Sequence, residues 1–177
     1  MKKKVTLLIA AILVVIFGFY VMNIYLPIEG TVMDSETKQP IEGAIVLVWW
    51  TIQKGVPGLT YGTTYQLAET VTDKNGKFRI NTYVLNPFVN RPDLTIYKAG
   101  YVCWNNNYTF PGLKQRAGFR WNSNREYLLE KFRSEYSHTD HVSFITSFRP
   151  ALDSRDPFEK AYEWERTMSS KELDIRK

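Results

Sequence analysis

The chain has 177 residues, a formal net charge of +5, one cysteine and two histidines. Lys2, Lys3 and Lys4 carry +3 of that charge, so the rest has no basic run to track a phosphate backbone, and nucleic-acid binding is not expected. The lone Cys103 excludes an intrachain disulfide and a cysteine-rich metal site.

The apolar residues are unevenly spread. Between Val5 and Leu26, 19 of 22 residues are apolar, Thr6, Gly18 and Asn23 being the exceptions. Residues 5–25 would make a helix of ~31 Å, enough to span a bilayer core and longer than the apolar core of a signal peptide. The residues after it lack a small-x-small cleavage pattern, and no cysteine follows for lipidation. Tyr20 and Tyr25 sit where interfacial aromatics belong, and Lys2–Lys4 place the N-terminus in the cytoplasm. Residues 1–26 therefore read as an uncleaved single-pass anchor, with a cleaved signal or a buried core helix as alternatives.

Pro27 ends that helix. Ile28–Asp34 alternates like a strand, Ser35–Pro40 is turn-like, and Gly43–Trp50 is the strongest strand in the chain. Gln53–Gly62, with three glycines and a proline, reads as a long loop. Glu69–Asp73 and Lys77–Ile80 flank Asn75-Gly76, a pair suited to the type I′ turn of a hairpin. Asn81–Pro92 reads as a loop and Leu94–Lys98 as a strand. Val102–Phe110 is β-prone but broken by three asparagines, and Glu126–Phe132 closes the set. About seven strands separated by turn signals predict a mainly β fold, a seven-stranded sandwich over 28–133. Val32, Ala44, Val46, Val48, Phe78, Ile80 and Ile96 are its expected core.

The tail, 134–177, changes to a helical period. Phe144, Ile145, Phe148 and Leu152 are helically spaced around Pro150, and Asp156-Pro157-Phe158-Glu159 reads as a helix start with Asp156 capping. Phe158, Ala161, Tyr162 and Met168 make one apolar stripe to about Ser170. The strand Gly43–Trp50 is apolar on both faces, so Ile45, Leu47 and Trp49 need a cover. The tail packed on the sandwich, a partner protein and a flat ligand such as a sugar are the three candidates.

Three motifs carry a resemblance. They are Gly30-x-Val32-x-Asp34-x-x-Thr37-x-x-Pro40-Ile41-x-Gly43-Ala44-x-Val46, then Thr72-Asp73-x-Asn75-Gly76-x-Phe78-x-Ile80, then Lys98-Ala99-Gly100-Tyr101. Over Ile28–Phe132 the chain resembles a carboxypeptidase regulatory-like domain of the transthyretin-like (prealbumin-like, Ig-like) sandwich family. The resemblance implies a fold and little chemistry, because the matching positions build turns and core. No zinc peptidase accompanies it: neither His138 nor His141 has a glutamate three residues on.

Few residues point to chemistry. His138-Thr139-Asp140-His141 has the donors for a metal, but reads better as a polar helix start capped by Thr139 or Asp140. Cys103 beside Trp104 reads as buried and inert. Phe, Trp and Tyr make up 22 of the 151 residues after the leader. Among them Trp49, Tyr61, Tyr65, Trp104 and Trp121 are the candidate ligand or partner surface. The sequence thus predicts a non-catalytic, cofactor-free protein, anchored through residues 5–25, with a periplasmic or extracellular sandwich. Its expected role is interaction with an envelope protein or envelope structure. The alternative is a module binding carbohydrate or peptidoglycan fragments through Tyr61, Tyr65, Trp104 and Trp121.

Overall fold

The computed structural model describes residues 2–25, 27–81, 84, 86, 88–121 and 125–175, with the side chains of the first helix described over 3–18. Helix α1 (Lys2–Tyr25) is followed by strands β1 (Ile28–Asp34), β2 (Ile45–Val56), β3 (Leu59–Val71), β4 (Lys77–Ile80) and β5 (Asp93–Tyr97). Short strands β6 (Trp104–Asn105), β7 (Tyr108–Thr109) and β8 (Lys114–Gln115) precede β9 (Arg125–Leu129), and helices α2 (His138–Thr146) and α3 (Pro157–Ile175) end the chain. Among the described residues no helix is long and apolar enough to cross a membrane. The side chains of Tyr20 and Tyr25 lie outside the described residues.

Two sheets, ordered β4-β1-β9 and β3-β2-β5-β6, carry seven strands, and β7-β8 form a separate pair. Alternation puts one side of each strand on a shared core. Val32, Ala44, Val46, Val48, Trp50, Phe78, Ile80, Leu94, Ile96, Tyr127 and Leu129 meet there, the arrangement of a β-sandwich. In the smaller sheet β1 is central, antiparallel to β4 (Ile28 opposite Ile80) and parallel to β9 (Val32 opposite Tyr127).

The opposite side of β2 carries a second apolar layer. Ile45, Leu47 and Trp49, with Tyr97 and Cys103, are covered by Phe144 and Ile145 of α2 and Phe158 and Tyr162 of α3. Each helix offers an apolar stripe that would be marginal alone in water and is stabilised by this burial.

Four local expectations need correction. Gln53–Gly62 is not a loop: β2 runs to Val56 and β3 starts at Leu59. Nor do β3 and β4 form a hairpin. The turn between them closes, but Asn75 keeps a negative φ and only Gly76 is left-handed (φ 69°). The Asp73 carboxylate accepts the backbone N–H groups of Asn75 (2.9 Å) and Lys77 (2.8 Å), and the strands then separate into different sheets. The cap of α2 is Ser137, whose hydroxyl accepts the Asp140 N–H at 3.2 Å, rather than Thr139 or Asp140. Asp156 turns its carboxylate back to the Asp153 N–H (2.8 Å), while the Phe158 N–H at the start of α3 is given to Glu69 of β3 at 3.4 Å.

The asparagine run is a built turn. Asn105 Oδ1 accepts the N–H groups of Asn107 (2.8 Å) and Tyr108 (3.0 Å), and Asn106 Oδ1 accepts that of Leu94 (2.8 Å). Asp34 ends β1 in the same manner. Its carboxylate accepts the Thr37 and Glu36 N–H groups and the Tyr101 hydroxyl, and Lys131 lies 3.6 Å away. In the stretch Asn81–Pro92, Thr82, Tyr83, Leu85 and Pro87 lie outside the described residues.

Candidate functional site

The convergent ionisable groups are internal. Both His138 and His141 project from α2 toward Glu165 of α3, three residues apart and so on one helix face. His138 Nδ1 donates to Glu165 Oε1 at 2.5 Å, and the Tyr97 hydroxyl of β5 donates to Oε2 at 2.9 Å. His141 Nε2 accepts the Cys103 N–H at 2.9 Å, so its ring hydrogen sits on Nδ1. That nitrogen lies 3.0 Å from Glu165 Oε1 without hydrogen-bond alignment. Glu165 and His141 are fully buried.

Burial alone would push the Glu165 carboxyl up. The closeness of the His141 ring edge, with the hydrogen bonds of His138 and the Tyr97 hydroxyl, outweighs it and holds the group below its ordinary range. The Tyr97 hydroxyl and the Cys103 thiol are pushed up, first by burial and then by the Glu165 charge. A thiol so placed is a poor nucleophile. The two histidines converge on a single carboxylate oxygen, and among the described residues no group of three or more His, Cys, Asp or Glu side chains is disposed to hold a metal ion. The arrangement fastens both helices to the sheet.

The candidate aromatic surface divides. Trp49 is buried under the helices. Trp104 is buried in the core, edge-on to Tyr127 (5.0 Å) and Phe119 (5.6 Å), with the Arg116 guanidinium 4.5 Å from its ring centre. Trp121, half-buried, meets Phe119 edge-on at 5.1 Å. These rings form a ladder from the surface into the core. Tyr61 and Tyr65 are exposed, and both lie on β3.

Tyr61 belongs to a feature that the loop expectation concealed. Beyond Trp50, strands β2 and β3 leave the sandwich as a two-stranded ribbon. A register shift opposite Trp50 and Thr51 places Tyr65 as the extra residue of a bulge. At the tip, Pro57 supplies a fixed φ and Gly58 a left-handed one (φ 88°), the requirement of a type II turn. Residues facing one another across an antiparallel pair share a face. One face therefore carries Val56 with Leu59, Lys54 with Tyr61, and Ile52 with Thr63. The other carries Gly55 with Thr60, Gln53 with Gly62, and Thr51 with Thr64. The apolar face is open: Val56 is 60% exposed, Leu59 77% and Tyr61 62%. A bridge between Ile52 and Val89, and bonds from Asn90 to the Thr51 carbonyl (2.8 Å) and hydroxyl (3.0 Å), brace the stem.

No family model and no curated protein matches the chain. A solved structure described as "Structure of the Streptococcal ancillary pilin" is 14% identical, with a TM-score of 0.33. The match covers 60% of this chain and 29% of the pilin, so the chain spans under a third of that protein's length.

Proposed function

We propose that the protein is a non-catalytic β-sandwich, of the carboxypeptidase regulatory-like kind that its turn and strand motifs resemble, tethered to a membrane by α1. It would be displayed on the extracytoplasmic side for protein interaction or envelope structure. The observation that carries this reading is α1 itself. Its side chains described over 3–18 are all exposed, and from Val5 to Gly18 all are apolar except Thr6 and Gly18. Successive residues of a helix point 100° apart, so Leu7, Leu8, Ile9 and Leu13 cover all its sides, and each is exposed. A helix apolar on every side calls for an apolar surround. Lys2–Lys4 favour a cytoplasmic N-terminus.

The non-catalytic reading is supported by the enclosure of Glu165, His141 and Cys103 between the helices and the sheet, where the Tyr97 hydroxyl bonds Glu165 and the Cys103 backbone N–H bonds His141. Alkaline extraction of membranes from cells expressing the full chain tests the tether. The chain is expected in the pellet, with the sandwich cut by protease added from outside. Release of the full chain into the alkaline supernatant would end this reading.

A further inference from the structure

We propose that the apolar face of the β2–β3 ribbon rests on a lipid bilayer beside α1, giving the domain a second membrane contact; this builds on the tethered reading above. Strand direction places the ribbon at the right end. The first residue of β1, Ile28, is opposite Ile80, the last residue of β4. In the other sheet Ile45, the first residue of β2, is opposite Val71, so β2 starts beside the turn at 72–76 and runs toward the end where Ile28 lies, its stem bridged by Val89 at Ile52. The ribbon therefore projects from the end of the sandwich that follows α1. The turn at residues 72–76 lies at the other end, where the Val32 N–H is bonded to the Gly76 carbonyl at 2.8 Å.

The lengths agree. Two residues separate the end of α1 from Ile28, three steps of chain with a reach of at most ~11 Å. Six residues of β2 follow Trp50, and at ~3.3 Å each they carry the tip ~20 Å beyond the core. The ribbon is thus long enough to meet the surface from which the chain emerges.

The chemistry agrees as well. Val56 and Leu59 occupy the tip, while Lys54 and Tyr61 stand one pair back on the same face. A tyrosine ring and a lysine stem with its charged head suit the headgroup level, behind apolar residues inserted deeper. Phe88, 79% exposed, sits next to the stem. Neither 51–68 nor 81–92 contains an acidic residue, whereas Lys54 and Arg91 lie within them. The acidic Glu29 of β1 is paired with Arg79 at 3.4 Å. Asp93, opposite Trp49 at the base of the ribbon, accepts a hydrogen bond from the Asn107 side chain, so Lys54 and Arg91 suit that end of the domain to anionic headgroups.

The full chain reconstituted into vesicles of phosphatidylcholine and phosphatidylglycerol provides the test. A nitroxide is attached to Leu59→Cys, to Lys74→Cys in the turn at the far end, or to Ile12→Cys in α1, while buried Cys103 stays unlabelled. Collisions with oxygen report lipid, and collisions with a polar nickel chelate report water. The label at 59 is expected to favour oxygen, as at 12, and the label at 74 to favour the chelate. If 12 reports lipid while 59 matches 74, the ribbon contact is overturned with the tether intact, and the apolar face is left for a protein partner. If 12 reports water, the tether itself fails and the ribbon contact falls with it.

Discussion

The Tyr97 hydroxyl on β5 and the Glu165 carboxylate on α3 meet at 2.9 Å, joining sheet and helix across 68 residues of chain. Glu165 has no solvent to replace a lost donor, and its other oxygen is committed to the two histidines. Tyr97→Phe should therefore cost ~1.5–3 kcal/mol, as for a hydrogen bond to a charged group. Glu165→Leu, which orphans several partners at once, should cost ~3–5 kcal/mol. Urea unfolding measures both, and the double variant should lose less than the sum, because the two share one interaction.

Acid should weaken the fold through Asp34. The Thr37 and Glu36 N–H groups and the Tyr101 hydroxyl hold its carboxyl at about 2, below the ordinary 3.8. A lowered folded value means the unfolded chain takes up the proton first. The contribution is complete above the ordinary value and is lost as pH falls toward the folded one. Urea midpoints should therefore drop between about pH 4 and about pH 2, and Asp34→Asn should lose that part of the slope. An unchanged slope would show that the turn at Thr37 does not depend on the charge.

Phe158 is fully buried between α3 and the second face of β2. Phe158→Ala should cost ~3–5 kcal/mol in thermal or urea unfolding. Ending the chain after Arg133 should uncover Ile45, Leu47 and Trp49 together, read as binding of a hydrophobic dye. A truncated domain that melts like the full chain and binds no dye would show that the helices add nothing to the sheet.

The ribbon should behave oppositely. Val56→Asp and Leu59→Asp alter only exposed side chains, so each should shift stability by no more than ~0.5 kcal/mol. A large loss in calorimetry would mean that this face packs on the domain.

The core was legible where local pattern and tertiary role coincide. Alternation identified Val32, Ala44, Val46, Val48, Phe78, Ile80 and Ile96, and all are buried together. The apolar second face of Gly43–Trp50 signalled a missing cover, met by Phe144, Phe158 and Tyr162. The ribbon was not legible, because Gly55, Pro57, Gly58 and Gly62 are loop formers by local preference; Pro57 and Gly58 make only the turn, and Gly55 and Gly62 become strand through the pairing of β2 with β3. The His138–Glu165 contact was half legible. The two histidines share a helix face by spacing, but their partner lies on another helix, and no local period connects the two.

The parallel pairing of β1 with β9 sets an order of events in synthesis. Val32 and Tyr127 are neighbours in the sheet although 95 residues separate them in the chain, so β1 waits for its second partner until nearly three-quarters of the protein has been made. The chain between them can form the β2–β3 pair and the short turns first, since those close over few residues and cost less entropy. The smaller sheet therefore seals late, and α2 and α3, which cover the outer face, are synthesised last of all. A nascent chain halted before Arg125 would expose one edge of β1, a ready template for pairing with a second copy.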